Sequence, residues 1–424
     1  MTIRKVCIVD GARIPFSRSG TAYMKKSNKV LMTAALKELV KKLGLEGKEL
    51  GEVSLGAVSK HAADFSLARE CTVDSGLSYH TPATDLQKAC GTSLEAVITV
   101  ANKIALGQID SGIAGGVDTN SDIPVEFNQK FSDAMSKVNY SRSTGDKLKA
   151  LASLRPKDLA PIFPAVKEPR TGLSMGESCE VMAKDWGVTR EEQDELALSS
   201  HKKAAAAYEE GFFNDLVYKF DGLAKDGIVR GDTTMEKMAK LKPCFDRKSG
   251  KGTLTAANST PLSDGAACVF LCSEEYAKEN GLNIKAYFTL SQSAAVNYVS
   301  EEGLLMAPAY AVPKLLKRAG MTLQDFDFYE IHEAFAAQVL CTMKAWESED
   351  FCKNKLGLDS ALGEIDRTKL NVKGGSLALG HPFAATGARI VSTLAKMLDE
   401  KGSGKGLISI CTAGGMGVTA IIEK

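Results

Sequence analysis

Leu407-Ile408-Ser409-Ile410-Cys411-Thr412-Ala413-Gly414-Gly415-Met416-Gly417 is an apolar run that breaks on a glycine pair, and Ser111-Gly112-Ile113-Ala114-Gly115-Gly116-Val117 does the same in the first half of the chain. Each reads as a buried strand ended by a glycine turn. A helical pattern precedes each. Leu94, Val97, Ile98, Ala101, Ile104 and Ala105 trace one helix face, and Phe383 to Leu398 predict another helix. Further out, strands are expected at Val6 to Val9, Ile284 to Leu290 and Phe326 to Ile331. Helices are expected at Pro308 to Ala319 and at Asn28 to Leu43, the latter closed by Gly44. The order predicts an α/β protein with buried strands, and the repeated glycine ending suggests duplication of one α/β unit.

Between the halves, from Ser121 to Lys242, the pattern changes. Gln129 to Arg170 holds nine basic residues against four acidic ones, with prolines at 156, 161, 164 and 169. It reads as an inserted, loop-rich subdomain. Thr189-Arg190-Glu191-Glu192 then fits a capping box opening a helix to about Tyr208.

The 424 residues suit two to three domains, and a net charge of +1 argues against whole-chain attraction to nucleic acid or to an anionic membrane. No apolar run reaches the ~20 residues that span a bilayer. Met1 to Val9 run straight into a strand pattern with no room for a signal peptide, so a cytoplasmic location is expected; a processed organellar protein would look the same. The ten cysteines include no CxxC pair and read mostly as reduced, buried side chains.

Four residues stand out against that background. Cys90, in Lys88-Ala89-Cys90-Gly91-Thr92-Ser93, lies just ahead of a helix, where the helix dipole would stabilise a thiolate. A packed small side chain is the competing reading. His381, in Leu379-Gly380-His381-Pro382-Phe383, sits at a helix entrance with Pro382 in the first turn and has the chemistry to deprotonate a thiol, or simply to cap the helix. Cys411 ends a strand at a turn whose N–H groups suit an anion, and there it either exchanges a proton with a carbanion or merely packs. His332, in Tyr329-Glu330-Ile331-His332-Glu333-Ala334-Phe335-Ala336, lacks a second histidine at i+4. It is therefore read as a hydrogen-bonding group or cap, and no metal is expected.

Taken together, these segments resemble the thiolases over nearly the whole chain and in order. The resemblance runs through Cys90 to Glu95, Gly115-Gly116, Met175-Gly176, Gln193-Asp194, Ser200-His201 and Thr253 to Asn258. It continues through Asp264 to Ala267, His332 to Ala336, Asn371 to Gly375, Ala378 to Pro382 and Cys411 to Gly417. Within that family the chain looks most like the thiolase (beta) subunit of the fatty-acid β-oxidation multienzyme, or trifunctional, complex. His332 stands where many thiolases have asparagine, Phe383-Ala384-Ala385-Thr386-Gly387 replaces a more glycine-rich helix entrance, and Ala413 replaces a glycine.

The resemblance implies a duplicated, five-layered αβαβα fold with an inserted subdomain: an N-terminal half at 1–120 completed by 243–280, an insert at 121–242, and a C-terminal half at 281–424. It also implies degradative cleavage of 3-ketoacyl-CoA, with Cys90 as nucleophile, His381 as its base, Cys411 as the acid and base at the enolate carbon, and His332 as an enolate donor. The backbone N–H groups of Cys90 and Ala413 would form an oxyanion hole, and Met175, Ala256 and Thr260 would line a CoA channel. CoA is the implied co-substrate, with no permanently bound cofactor. A homodimer, and a heterotetramer with a hydratase/3-hydroxyacyl-CoA dehydrogenase subunit, are the implied assemblies. The basic excess in 129–170 is a second candidate for CoA phosphates, and Leu148, Leu151 and Leu154 are candidates for docking to a membrane or the partner. A biosynthetic acetoacetyl-CoA thiolase and an inactive CoA-binding scaffold are the alternatives.

Overall fold

The computed structural model describes residues 3–164 and 167–424. Its central strand, Ser263–Ser273, is buried along its whole length and pairs antiparallel with Val6–Arg13 on one side and Ser111–Asp118 on the other. Glu52–Gly56 and Ala83–Leu86 extend the sheet beyond Ser111–Asp118 in parallel register. On the other side, Val6–Arg13 pairs through its first residues with Ala286–Ala295, and Met416–Glu423, Lys405–Thr412 and Phe328–Ile331 follow. With the short Ser17–Arg18, these make one ten-stranded mixed sheet.

Successive side chains of a strand point to opposite faces, and that period builds the layers. Ala267, Val269 and Leu271 face one core together with Ile408, Ile410, Val418 and Ala420 of the other half. Their neighbours Ala266, Cys268 and Phe270 face a second core under the helix Asn28–Lys42, and Leu407 and Ile421 face a third under Ala307–Ala319 and Ala336–Glu347. The helices Thr92–Ala105 and Thr386–Lys401 lie in the shared core, so the order is helix, sheet, helix, sheet, helix. The sheet halves are joined where Val6–Ile8 pair with Ala286–Phe288.

The two central helices meet near their starts. Ser93 Oγ accepts the Ala388 N–H at 2.8 Å, and a Cβ at Gly387 would lie 2.4 Å from the Leu94 nitrogen. Backbone does not yield as a flexible side chain does. Gly387→Ala is therefore expected to cost about 3 kcal/mol through overpacking, read as a lowered urea midpoint with an unchanged slope.

The structure corrects three expectations. The segment Gln129 to Arg170 is not mainly loop: Asn128 caps a helix Gln129–Tyr140 and Ser143 caps another, Thr144–Ala152. Its prolines all come after the second helix, where a breaker costs little. Leu148 and Leu151 are exposed on that second helix, but Leu154 falls beyond its end. The expected helix from Phe383 begins with a 3-10 turn, Phe383–Ala385, so Pro382 precedes the helix proper, which starts at Thr386. The capping box at Thr189 and Glu192 is present, opening Arg190–Glu209.

Candidate active site

Cys90 follows a strained residue. Ala89 takes φ +44°, a left-handed conformation that is costly for a side chain with a Cβ. Thr92 locks that turn: its hydroxyl accepts the Lys88 N–H at 2.8 Å and donates to the Ala89 carbonyl at 2.7 Å. Cys90 is half-buried, and Gly91 behind it presses on the second half of the sheet, where a Cβ would lie 2.7 Å from Val418 Cγ1 and 3.0 Å from Thr412 Cγ2. The segment carrying Cys90 thus packs beside the turn that follows Cys411.

His332 and His381 complete the cluster. The His332 N–H donates to the Ser409 carbonyl at 2.8 Å and its Nδ1 meets Ser376 Oγ at 2.9 Å. His381 donates its N–H to Ser263 Oγ at 3.1 Å, and its Nδ1 meets Thr386 Oγ1 at 2.6 Å. The ring centroids are 4.2 Å apart. One ring nitrogen of each histidine and Cys90 Sγ all lie within 4.8 Å of one another. Both Nε2 atoms are buried without a partner among the described residues. Cys411 is buried at the end of Lys405–Thr412, and Gly414 and Gly415, at φ +76° and +68°, make the turn that follows. Glu168 Oε1 accepts the Gly414 N–H at 2.7 Å and so anchors the turn to the inserted segment.

Burial dominates the electrostatics. It pushes the Cys90 thiol up to about 12, against backbone N–H groups including that of Ala413, which favour the thiolate; the charge of Asp118 adds to the rise. Desolvation thus opposes the thiolate that the helix start is expected to favour. Cys411 lies well above the usual thiol range for the same reason, with Cys90 adding to it. Burial, then the Arg389 charge, lowers His381 to about 3. His332 is also well below its usual value, through burial, His381 and Arg389. The resting site is therefore a neutral thiol beside two neutral imidazoles.

The sequence did not single out the supports of these groups. Asp118, raised to about 7 by burial, accepts the N–H groups of Val58, Ser59 and Ala384, and ties the first half of the chain to the turn after His381. Glu333, next to His332, accepts from Ser200 Oγ, Asn371 Nδ2 and the Leu377 N–H. Ser200, Glu333 and Asn371 fell inside motif segments without a role, and Ser376, Arg389 and Glu168 gave no local signal. Their partners are distant in the chain.

A cleft of about 750 Å³ opens next to this cluster, lined by Arg18, Arg230 and Lys237 and by Ala256, Thr260 and Leu377. Thr260 Oγ1 donates to the Ser376 carbonyl and Leu262 bridges to His381, so the cleft reaches the residues behind the two histidines. Met175 does not line it; it opens the helix Met175–Asp185 and packs against the core that contains Cys411. None of the described residues of 129–170 lines the cleft either. Among its lining residues His201 is 6 % exposed, and burial, then the Arg230 charge, lowers it to about 4. A histidine depressed in the folded state leaves stability intact above about 6.5 and loses it as pH falls toward 4, by about 3 kcal/mol. His201→Gln, which keeps an acceptor for the Arg230 N–H, is expected to remove that part of the acid loss in urea titrations at pH 7 and pH 4.

Cys90, His332 and His381 are also the one group of three metal-capable side chains found among the described residues. Zinc sites use such donors, with carboxylates or carbonyls behind the imidazoles to raise their basicity. Here hydroxyls of Ser376 and Thr386 stand behind them, a setting for acid–base work.

A thiol, two neutral imidazoles and a second buried cysteine, set at the starts of paired central helices in a five-layered fold, define a thiolase site. The chain belongs to the thiolase family: residues 6–275 match the thiolase N-terminal domain and 282–424 the thiolase C-terminal domain. It is 43 % identical to a 3-ketoacyl-CoA thiolase of Pectobacterium atrosepticum, covering 99 % of this chain and 96 % of that protein. It is 41 % identical to a 3-ketoacyl-CoA thiolase of Yersinia enterocolitica, covering 99 % and 97 %. Among solved structures, a Bacillus anthracis acetyl-CoA acetyltransferase superposes with TM-score 0.82 at 32 % identity over 100 % of this chain and 99 % of that one. Human mitochondrial 3-ketoacyl-CoA thiolase in complex with CoA superposes with TM-score 0.81 at 26 % identity, over 99 % and 98 %.

Proposed function

We propose that this chain is a degradative 3-ketoacyl-CoA thiolase, an acetyl-CoA C-acyltransferase of fatty-acid β-oxidation. The observation that carries this is the convergence of Cys90 Sγ and the ring nitrogens of His332 and His381 within 4.8 Å, beside Cys411. His381 takes the Cys90 proton on Nε2 while Nδ1–H donates to Thr386 Oγ1. The thiolate attacks the 3-keto carbon, the C2–C3 bond breaks, and an acyl group remains on sulfur as the acetyl-CoA enolate departs. The Cys411 thiol gives its proton to the enolate carbon; a CoA thiol then returns a proton to Cys411 and takes the acyl group as its thiolate, while Cys90 leaves as thiolate and recovers its proton from His381. In reverse, Cys411 is the base of a condensation.

Two sets of donors serve the two negative charges. The Cys90 and Ala413 N–H groups face the tetrahedral oxyanion; His381, charged once it holds the thiol proton, and His332, acting through a water, face the enolate oxygen. An alanine at 413 keeps the backbone donor. CoA acts as co-substrate, with Arg18 and Arg230 placed to meet its phosphates and Ala256 and Thr260 lining its path. Lys237 is already paired with Asp232. Met175 packs on the Cys411 side, where it would bound the acyl pocket.

We place the enzyme in the cytoplasm, as a homodimer joined to a hydratase/3-hydroxyacyl-CoA dehydrogenase subunit. Among the described residues no helix is long and apolar enough to cross a membrane. Exposed Phe127, Leu148, Leu151, Leu159, Ile162 and Phe163 give that partner an apolar, basic surface to meet. Serine at Leu148, Leu151 and Leu154 should weaken pull-down of the partner subunit; unchanged capture, and unchanged liposome binding, would remove docking from this surface.

The test of the reaction is thiolysis of C4 and C16 3-ketoacyl-CoA, with and without Cys90→Ser. Activity that depends on Cys90 and favours C16 supports the degradative reading. Strong preference for C4 replaces it with the biosynthetic one, and inactivity on both chain lengths with the partner subunit present leaves a scaffold.

A further inference from the structure

Behind His332 lies a buried chain of polar groups that the reaction above does not use. Ser376 Oγ, 2.9 Å from His332 Nδ1, accepts from Arg389 Nη2 at 2.7 Å. Arg389 is itself held opposite Glu330, whose Oε2 is 3.7 Å from Nη1. Serine, histidine and arginine are each at most 1 % exposed. A guanidinium only donates, and a hydroxyl has one proton to give. With Arg389 donating into Ser376 Oγ, the serine proton has one recorded acceptor, His332 Nδ1. The reverse arrangement would leave that proton, on a fully buried serine, without an acceptor among the described residues, at the cost of a desolvated donor. The unpartnered, buried Nε2 of His332 then carries its hydrogen toward Cys90 and the substrate.

We propose that Arg389 and Ser376 are positioning residues that fix His332 as the Nε2–H tautomer, so that it presents a hydrogen-bond donor, through the bridging water, to the thioester oxygen of the substrate. This rests on the thiolase reading above. One helix start addresses both rings: Thr386 opens Thr386–Lys401 and meets His381 Nδ1, and Arg389 stands three residues on. The histidines need opposite tautomers. His381 must keep Nε2 bare to receive the Cys90 proton, whereas His332 must keep Nε2 protonated to donate. Two different backing groups, a threonine hydroxyl alone and a serine hydroxyl driven by a guanidinium, supply that difference.

Two measurements on the full chain decide it. In 15N-labelled protein, the ring nitrogens of His332, assigned by their loss in His332→Asn, should show the proton on Nε2 and a bare Nδ1; this needs no variant at the relay. Ser376→Ala should lower kcat for cleavage of a 3-ketoacyl-CoA by about 10- to 100-fold, with KM changed less than about twofold. Exchange of acyl groups between acyl-CoA and free CoA through Cys90, which forms no enolate, should be retained. Ser376→Thr, which restores a hydroxyl, should recover most of the loss. A proton on Nδ1 of His332, equal loss of cleavage and exchange in Ser376→Ala, or no loss in either would overturn the proposal. Failure of the parent reading looks different: the unsubstituted chain itself would show no Cys90-dependent exchange, and the inference would fall with it.

Discussion

Cys90→Ala lowers kcat/KM for 3-ketoacyl-CoA cleavage on the order of 10^5-fold and abolishes the acyl adduct that mass spectrometry otherwise finds on the Cys90 peptide. The fold should survive, since Cys90 is half-buried and the turn around it is held by Thr92 and not by sulfur. An acyl adduct persisting in the variant would move the nucleophile elsewhere. The same thiol makes a second, quieter statement. Burial holds it up to about 12 in the free enzyme, so its alkylation should climb about tenfold per pH unit between 7 and 9. Alkylation already level below pH 8 would mean a standing thiolate–imidazolium pair. Burial raises the thiol and lowers His381, so the expected resting pair is neutral and the proton moves as substrate is attacked.

His381→Ala is the second large effect, a fall in kcat of about 10²- to 10⁴-fold, the usual loss when a general base is removed. Its pH behaviour separates a buried base from an exposed one. Burial and Arg389 depress His381 to about 3, so in the unsubstituted enzyme it stays unprotonated, and competent, as pH falls through the ordinary imidazole range. The kcat/KM profile should therefore show no acid limb with a midpoint near 6.5. A limb at that pH which disappears in His381→Ala would show a far more hydrated imidazole than this cluster provides.

What could be read from the residues, and what could not, divides by distance along the chain. Strands with continuous apolar runs, Ser111–Asp118 and Lys405–Thr412, announce themselves because both faces are buried. Helices with their own caps do too, as Thr189 and Glu192 show. The helices at Gln129–Tyr140 and Thr144–Ala152 were hidden because each buries only a single alanine, so no apolar stripe marks them. Cys90, His381, Cys411 and His332 were visible as chemically capable side chains at element ends. The direction of the Cys90 shift was not, because it is set by burial and by groups such as Ala413 that are far away in sequence. Ser376 and Arg389 were equally hidden, since a serine and an arginine in a helix say nothing until a histidine 44 residues from that serine comes within reach.

The central layer has a last consequence, for how this protein is made and how it fails. Cys90 precedes one inner helix and His381 the other, and the second of these, Thr386–Lys401, packs on strands from both halves of the chain. The first half does not enclose its own inner face, so an isolated 1–280 fragment would expose apolar surface that Thr386–Lys401 hides in the intact chain and should aggregate, not wait as a folded intermediate. During synthesis the nucleophile is therefore made long before its base, and the two meet only when the His381 segment docks on Ser263, Asp118 and Ser93 of the first half. The reacting pair is thus completed only by joining the two halves of the chain, and catalytic competence doubles as a certificate of that docking.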